Sequence, residues 1–478
     1  MSDRRINRIG DVLHADEPST HAPTSRLTPP PPQADDRAAH PQSVSFADGP
    51  DSAPARPAAV GPDEPVEQPL RQNHDFHVVL AGQGISAIGD AVSVTAMPLL
   101  VLALTGSGLA MGVVAILQRL PDLLFGLPAG AYADRWDRRR MMLAADSGRA
   151  ILTALIPLAA ILGWPVMAVI LIVSFPINVL RVGFMAAWTA AIPNLVGRRH
   201  LGRGLGVFEA VSGGSFILGP ALAGLAVSQV GAAPTLAIDA ASFAVSALSL
   251  ALIRRPLREA TATVRGSLVH EMAAGVRFIS QRPVLRDTIA FWSAISLISA
   301  PVIPAVTFYV TIDRSLGAAA FGFVISAYSV GTLLGALAAS RRMSGGLAPQ
   351  LLLGNLGVAL ATAGVALTAS LPLMLVLAFA SGAFQSVVLV AYITLRAAHS
   401  PDALLGRIGS TARTISVGLQ PIGFLVGGIL LDTVGGGPTL LVIAALTGLS
   451  SVLFALSPAI RSAHARPRST RNEPVAEP

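Results

Sequence analysis

The sequence predicts an all-α membrane protein: twelve transmembrane helices in two six-helix bundles. Three observations carry this. The 478 residues are 52% hydrophobic and only 13% charged, where soluble domains carry about 25% charged residues. From residue 77 to residue 460 apolar runs follow one another, each near the about 20 residues that cross a bilayer core as a helix. Residues 201–240 align without a gap with 405–444, thirteen identities in forty positions. Leu201-Gly202-Arg203 matches Leu405-Gly406-Arg407, and Pro234-Thr235-Leu236 matches Pro438-Thr439-Leu440. The matches reach loops at both helix ends, so the chain reads as a duplicated six-helix unit.

Residues 1–76 differ from the rest. They are rich in Pro, Ala, Asp and Arg, with the run Pro29–Pro32, and hold few large apolar side chains. Such a segment buries too little surface to offset its ordering entropy, so a disordered cytoplasmic tail is expected. It lacks the uninterrupted apolar stretch of a signal peptide.

The apolar runs place helices 1 to 12 at 78–104, 108–131, 140–162, 166–190, 203–228, 233–253, 286–312, 318–340, 349–369, 371–396, 405–431 and 438–459. The N-terminal bundle is therefore 77–253 and the C-terminal bundle 286–460. Between them, linker 254–285 sets Leu268, Met272, Val276 and Ile279 on one helical face, the pattern of an amphipathic helix lying on the membrane surface. Residues 461–478 form a second tail.

Arginine sorts the loops. One set holds Arg135 to Arg140, Arg198, Arg199 and Arg203, the linker arginines, Arg341 and Arg342, Arg396 and Arg407, and the C-terminus. The other set (105–108, 163–165, 231–234, 313–314, 370–372 and 432–438) has Arg314 alone. The positive-inside rule then puts both termini in the cytoplasm of a cell whose plasma membrane the chain spans many times. The net charge of +7 reflects this sorting and not nucleic-acid binding. No cysteine or lysine occurs, so disulfides, thiolate chemistry and a phosphate-binding lysine are excluded.

The stretch 130–141, Gly-Ala-Tyr-Ala-Asp-Arg-Trp-Asp-Arg-Arg-Arg-Met, joins helices 2 and 3. Its spacing Gly-x-x-x-Asp-Arg-x-x-Arg-Arg resembles the signature loop of the major facilitator superfamily, with Asp137 where the family has Gly. The second half lacks it: Ala339 falls about where Asp134 would. The resemblance covers about 77–460 and is closest to the drug:proton antiporter branch that includes the enterobactin exporter and macrolide efflux proteins. Carrying it are Gly82-Gln83-Gly84-Ile85-Ser86, Gly89-Asp90-Ala91, Leu127-Pro128-Ala129-Gly130, Ala145-Asp146, Arg149-Ala150, Asp239-Ala240 and Ser242-Phe243. In helix 5, Gly214, Gly219-Pro220 and Gly224 resemble the antiporters' Gly-Pro motif, with Ala223 replacing a second Gly. The helix-4 element Arg-x-x-x-Gly is not met, since Met185 lies four after Arg181.

The resemblance implies a secondary active transporter working by alternating access between two halves about a midplane site. The implied gating residues are Gly130, Asp134, Arg135, Arg138 and Arg139, with Asp134 latching near the start of helix 11, around 405–407. Gly126 and Gly130 are expected to let helix backbones approach closely. No cofactor or metal is expected; a proton gradient is the energy source.

A mid-bilayer charge costs about 2.5–3.5 kcal/mol, so charges within the spans are candidates for function. Asp90 is the first choice for a titratable site, against a plain packing carboxylate. Asp122 pairs with Arg119 or lines a cavity. Glu209 is a second proton-carrier candidate, and its repeat equivalent is Arg413. Asp146 and Arg149, three apart, are expected to pair and join Asp134 in a charge network near the cytoplasmic end, with Arg181 and Arg413 as further members. Asp239 is left open.

Proton-coupled export of a hydrophobic or amphiphilic molecule by a monomer is the reading: an antibiotic, other drug, siderophore or secondary metabolite. The rivals are a non-transporting sensor or scaffold and a uniporter or importer of the same fold. An enzyme is not expected: Gly82-x-Gly84-x-x-Ala87 mimics a dinucleotide fingerprint but lies inside a membrane helix, and no metalloprotease or nucleophile-elbow motif occurs.

Overall fold

The computed structural model describes residues 69–253, 268–341 and 346–462. The tail 1–68, linker residues 254–267 and residues 463–478 lie outside them. Twelve helices are long and apolar enough to cross a membrane. We number them α1 (His74–Thr105), α2 (Gly108–Arg135), α3 (Arg138–Leu162), α4 (Val166–Val196), α5 (Leu201–Val230), α6 (Ala232–Leu252), α7 (Pro283–Asp313), α8 (Gly317–Arg341), α9 (Leu347–Leu367), α10 (Leu371–Ala398), α11 (Leu405–Val434) and α12 (Gly436–Ala455). α7 is interrupted at Ala300–Pro301 and ends in a wider π turn, Tyr309–Asp313. No strand occurs among the described residues.

The duplication is exact in length where the sequence repeats. α5 and α11 are each 30 residues, offset by the same 204 positions. Gly231 and Gly435 turn the chain into the next helix at φ +87° and +82°, a conformation that glycine adopts without steric cost.

α1 packs on α5 and α6, and α3 on α4 and α6; α10 packs on α8 and α9, and α12 on α9. Two seams join the bundles, α2 with α11 and α5 with α8. At the end away from the termini one apolar core runs through both bundles, from Leu100, Ile170 and Leu236 to Tyr309, Phe321 and Leu440. At the termini-bearing end the cores are separate. Phe76, Met142, Leu195 and Phe208 fill one, and Phe291, Leu351 and Tyr392 fill the other.

Three expectations are corrected. The N-terminal bundle begins before residue 77: Leu70 is buried in its core. The Asn73 side chain caps α1 by accepting from the Phe76 amide at 3.0 Å and donates to the Leu195 carbonyl at 2.8 Å. The signature stretch is mostly helix, because α2 continues to Arg135 and α3 starts at Arg138. Asp137, standing where the family has Gly, makes this sharp turn workable by accepting from the Arg140 amide at 2.8 Å as the α3 cap. The linker does form a helix, Leu268–Gln281, but Ile279 packs against Ile289, Ile408 and Ala412 while Val276 is exposed. That helix rests on the start of α11; the side chains of Leu268 and Met272 are outside the described set.

Candidate functional site

A cavity of about 910 Å³ lies between the bundles, with walls from all twelve helices. Its charged groups, Asp90, Arg119, Arg149, Arg181, Glu209 and Asp239, all come from the N-terminal bundle. The facing wall is neutral: Tyr328, Gln385 and Gln420 are its larger polar groups.

The seams show which end of the cavity is open. On α2, a Cβ at Gly112 would stand 2.5 Å from the Phe424 carbonyl oxygen, and one at Gly108 would collide with Leu431 Cβ. Eighteen residues further, about five turns and ~27 Å, Gly126 and Gly130 continue that face with nothing within 4 Å. α5 repeats the pattern. Gly224 meets the Ala318 carbonyl oxygen of α8 at 2.5 Å, and Gly206, eighteen residues back, meets nothing within 4 Å. The bundles are zipped at one end and parted at the termini-bearing end. The expectation of close helix approach at Gly126 and Gly130 does not hold in this conformation, because the same face is already spent on contact five turns away.

The Gly-Pro motif divides its labour. Gly219 packs on Ala91 of α1 and Gly224 on α8, whereas Gly214 faces open space. Pro220 lacks an amide hydrogen and displaces the local hydrogen-bond ladder. Next to it, the Ala221 amide donates across the seam to Ser326 Oγ at 3.0 Å. The motif's partner in the other half is α8.

The opposite end has its own clasp. Asp432 of α11 accepts from the amides of Gly108 and Leu109, at 2.5 and 3.1 Å, and from Ser107 Oγ at 2.7 Å. Nothing in the motif reading pointed to Asp432. A carboxylate six residues before Pro438, in a loop otherwise short of charge, is the signal it left.

Two charge clusters line the N-terminal wall. In the first, Arg149 Nη2 lies 2.6 Å from Asp90 and its Nη1 3.5 Å from Asp146. Ser246 Oγ donates to Asp146 at 2.5 Å and accepts from Gln83 at 2.7 Å. The expected Asp146–Arg149 pair is present, but Arg149's shorter bond goes to Asp90, which is therefore no isolated carboxylate. In the second, Arg181 binds Asp122 at 2.5 Å and Asn178 at 3.0 Å, while Arg119 stands off at 3.9 Å. The expected Arg119–Asp122 pairing is thus the weaker one. Arg181, without its family glycine, ties α4 to α2.

Arg138 and Arg139 face inward and not toward the other bundle. Arg138 donates to the Ala190 carbonyl at 2.9 Å, and Arg139 to those of Leu250 and Ala251 at 2.9 and 2.5 Å. Arg139 at the C-terminal end of α6 complements that helix's dipole, and both arginines brace the N-terminal bundle. The side chains of Asp134 and Arg135 lie outside the described set, and with them the expected link from Asp134 to Asp146. Glu209 and Arg413 are exposed at corresponding positions of α5 and α11. Asp239, left open by sequence, is buried and bonded by Ser93 and Ser242.

A sequence-family model described as a transmembrane secretion effector, of major facilitator type, matches residues 67–478. The chain belongs to the major facilitator superfamily. It is 31% identical over 388 residues to the multidrug efflux pump Tap of Mycolicibacterium fortuitum, a match covering 78% of this chain and 93% of that one. Macrolide efflux protein A of Streptococcus pyogenes is 27% identical over 211 residues, 43% of this chain and 51% of that protein. Among solved structures, the nucleoside transporter NupG superposes with a TM-score of 0.66 at 14% identity, over 80% of this chain and 98% of that one. The major facilitator fold has two six-helix halves around a central site, which is where this cavity lies. The protein is a multi-pass membrane transporter of small molecules.

Proposed function

We propose that this transporter exports hydrophobic or amphiphilic small molecules, coupled to inward proton flow, by alternating access. The observation that carries the reading is the pair of glycine-lined seams, each closed at one end and open at the other around a cavity with titratable groups. Multidrug and macrolide pumps among the relatives support drugs as the substrate class. The arginine distribution supports an orientation with both termini in the cytoplasm, so this conformation opens inward.

The charged N-terminal wall is the proton-handling side; Asp90 and Glu209 on it, and Asp122 bound by the wall residue Arg181, are the candidate groups. The neutral C-terminal wall offers amides and apolar surface to a substrate. Asp134 latches the cytoplasmic side once the parted ends of α2 and α11 meet. A proton moving through ~100 mV supplies roughly 2.3 kcal/mol, so export needs no ATP, cofactor or metal and no enzymatic step. One chain holds the whole cavity, which supports a working monomer.

The test is expression in a pump-deficient host scored against antibiotics, macrolides among them, and siderophores, with and without an uncoupler. Raised resistance abolished by the uncoupler is expected. Falling resistance would point to import, and gradient-independent movement to a uniporter. No substrate-stimulated proton movement in vesicles would leave a sensor.

A further inference from the structure

Three aspartates on three helices converge on one arginine. Arg149 of α3 touches Asp90 of α1 at 2.6 Å and Asp146 of its own helix at 3.5 Å, and lies 3.7 Å over the Phe243 ring of α6. Asp239, one turn before Phe243, is within electrostatic reach of both Asp90 and Arg149. Its carboxylate rests against Gly89, where a Cβ would stand 2.7 Å from Oδ1, and it accepts from Ser93. Asp239 and Asp146 are 3% and 1% exposed, whereas the Asp90 side chain is 39% exposed.

One guanidinium cannot neutralise three carboxylates, two of them buried, and an unpaired buried charge is costly. A second observation concerns the arginine itself. Its Nε is buried and has no hydrogen-bond partner, although such donors are nearly always satisfied. Arg149 thus holds a spare donor, and Asp239 is a carboxylate within its electrostatic reach that it does not bind.

We propose that Asp239 carries the coupling proton, and that Asp90 and Asp239 compete for Arg149 as that proton comes and goes. This rests on the proton-coupled reading above. In the inward-open form Asp239 holds the proton and Arg149 holds Asp90. The O–H bond of Asp239 breaks, and the proton leaves to cavity water. The new carboxylate draws the Nε–H of Arg149, which loosens from Asp90. Reprotonation from the outer side reverses these steps: one proton enters outside and one leaves inside. Ala91, next to Asp90, packs on Gly219, so release of α1 reaches the α5–α8 seam. The charged groups acting on Asp239 are Asp90 on α1 and Arg149 on α3, and Glu209 of α5 lines the same cavity.

Infrared titration of the purified full-length protein tests the proton directly. The wild type is expected to show a carboxylic-acid C=O band that titrates, missing in Asp239→Asn. Ser93→Ala, which keeps the carboxyl but removes its hydroxyl partner, is expected to move the midpoint by about one pH unit. A band unchanged in Asp239→Asn would overturn the assignment. In proteoliposomes with erythromycin as probe, Asp239→Asn is expected to move the drug down its own gradient and to ignore an imposed pH gradient. A wild type that also ignores it overturns proton coupling itself. A wild type and a variant that both respond overturn Asp239 alone. If erythromycin does not move, the infrared result decides.

Discussion

The carboxylate of Asp432, near the end of α11, holds the backbone amide of Gly108, the first residue of α2, at 2.5 Å. The free amides at a helix N-terminus attract negative charge, so one side chain of the C-terminal bundle caps a helix of the N-terminal bundle. The family resemblance implies the converse at the other membrane face, with Asp134 of α2 reaching the start of α11. Opening the outer end must break the Asp432 cap. Asp432→Ala is expected to shift the balance toward outer opening by about 1–2 kcal/mol. The chain has no cysteine, so spin labels placed through Thr105→Cys and Thr433→Cys report that distance directly. A distance distribution identical to the parent's would remove Asp432 as a clasp.

Glycines on one face of α2 should behave oppositely according to depth. A leucine at Gly112 meets the Phe424 backbone in the closed seam, so Gly112→Leu is expected to lower the melting temperature markedly. Gly130→Leu and Gly206→Leu enter open space. They are expected to melt near the parent value yet lose transport, because the bulk blocks closure. Full transport by either would mean that these faces never meet.

Arg149 is the cation for a cluster of three carboxylates. Arg149→Met leaves buried charge unpaired, a loss of about 3–5 kcal/mol, read as reduced thermal stability of the purified protein. Adding Asp90→Asn to it should recover part of that loss. No recovery would mean that the two side chains do not act on each other.

Asp134→Asn is expected to insert and accumulate normally but to abolish export. Asp90→Asn should keep substrate binding and lose proton-driven export. Accumulation assays, fluorescence-detected binding and drug efflux separate these outcomes, and normal export by Asp134→Asn would remove the latch.

Much of the site was legible because membrane solvation constrains sequence so strongly. Asp90, Arg149, Asp122 and Arg181 stood out since charges in apolar runs need partners. Which partner each takes was not legible. Arg149 has Asp146 three positions away on its own helix, yet its shorter bond is to Asp90, 59 residues distant. Asp239 was left open because Ser93 and Gly89, which pack against its carboxylate, are on another helix. Likewise Gly214 and Gly130 fit their motifs but face open space where a side chain would stand, since a spacing specifies a helix face and not what that face meets.

Hydropathy, arginine sorting and the 204-residue repeat were enough, unaided, to establish twelve crossings in two related halves. Each depends on local composition: a helix must satisfy its own backbone in lipid, and arginine stays at the water's edge. The tertiary structure alone decided which end of the two seams is shut, how three aspartates are grouped around one guanidinium, and that Asp432 clasps α2. Those depend on contacts between helices far apart in the chain, where a side chain's role is set by what packs opposite it.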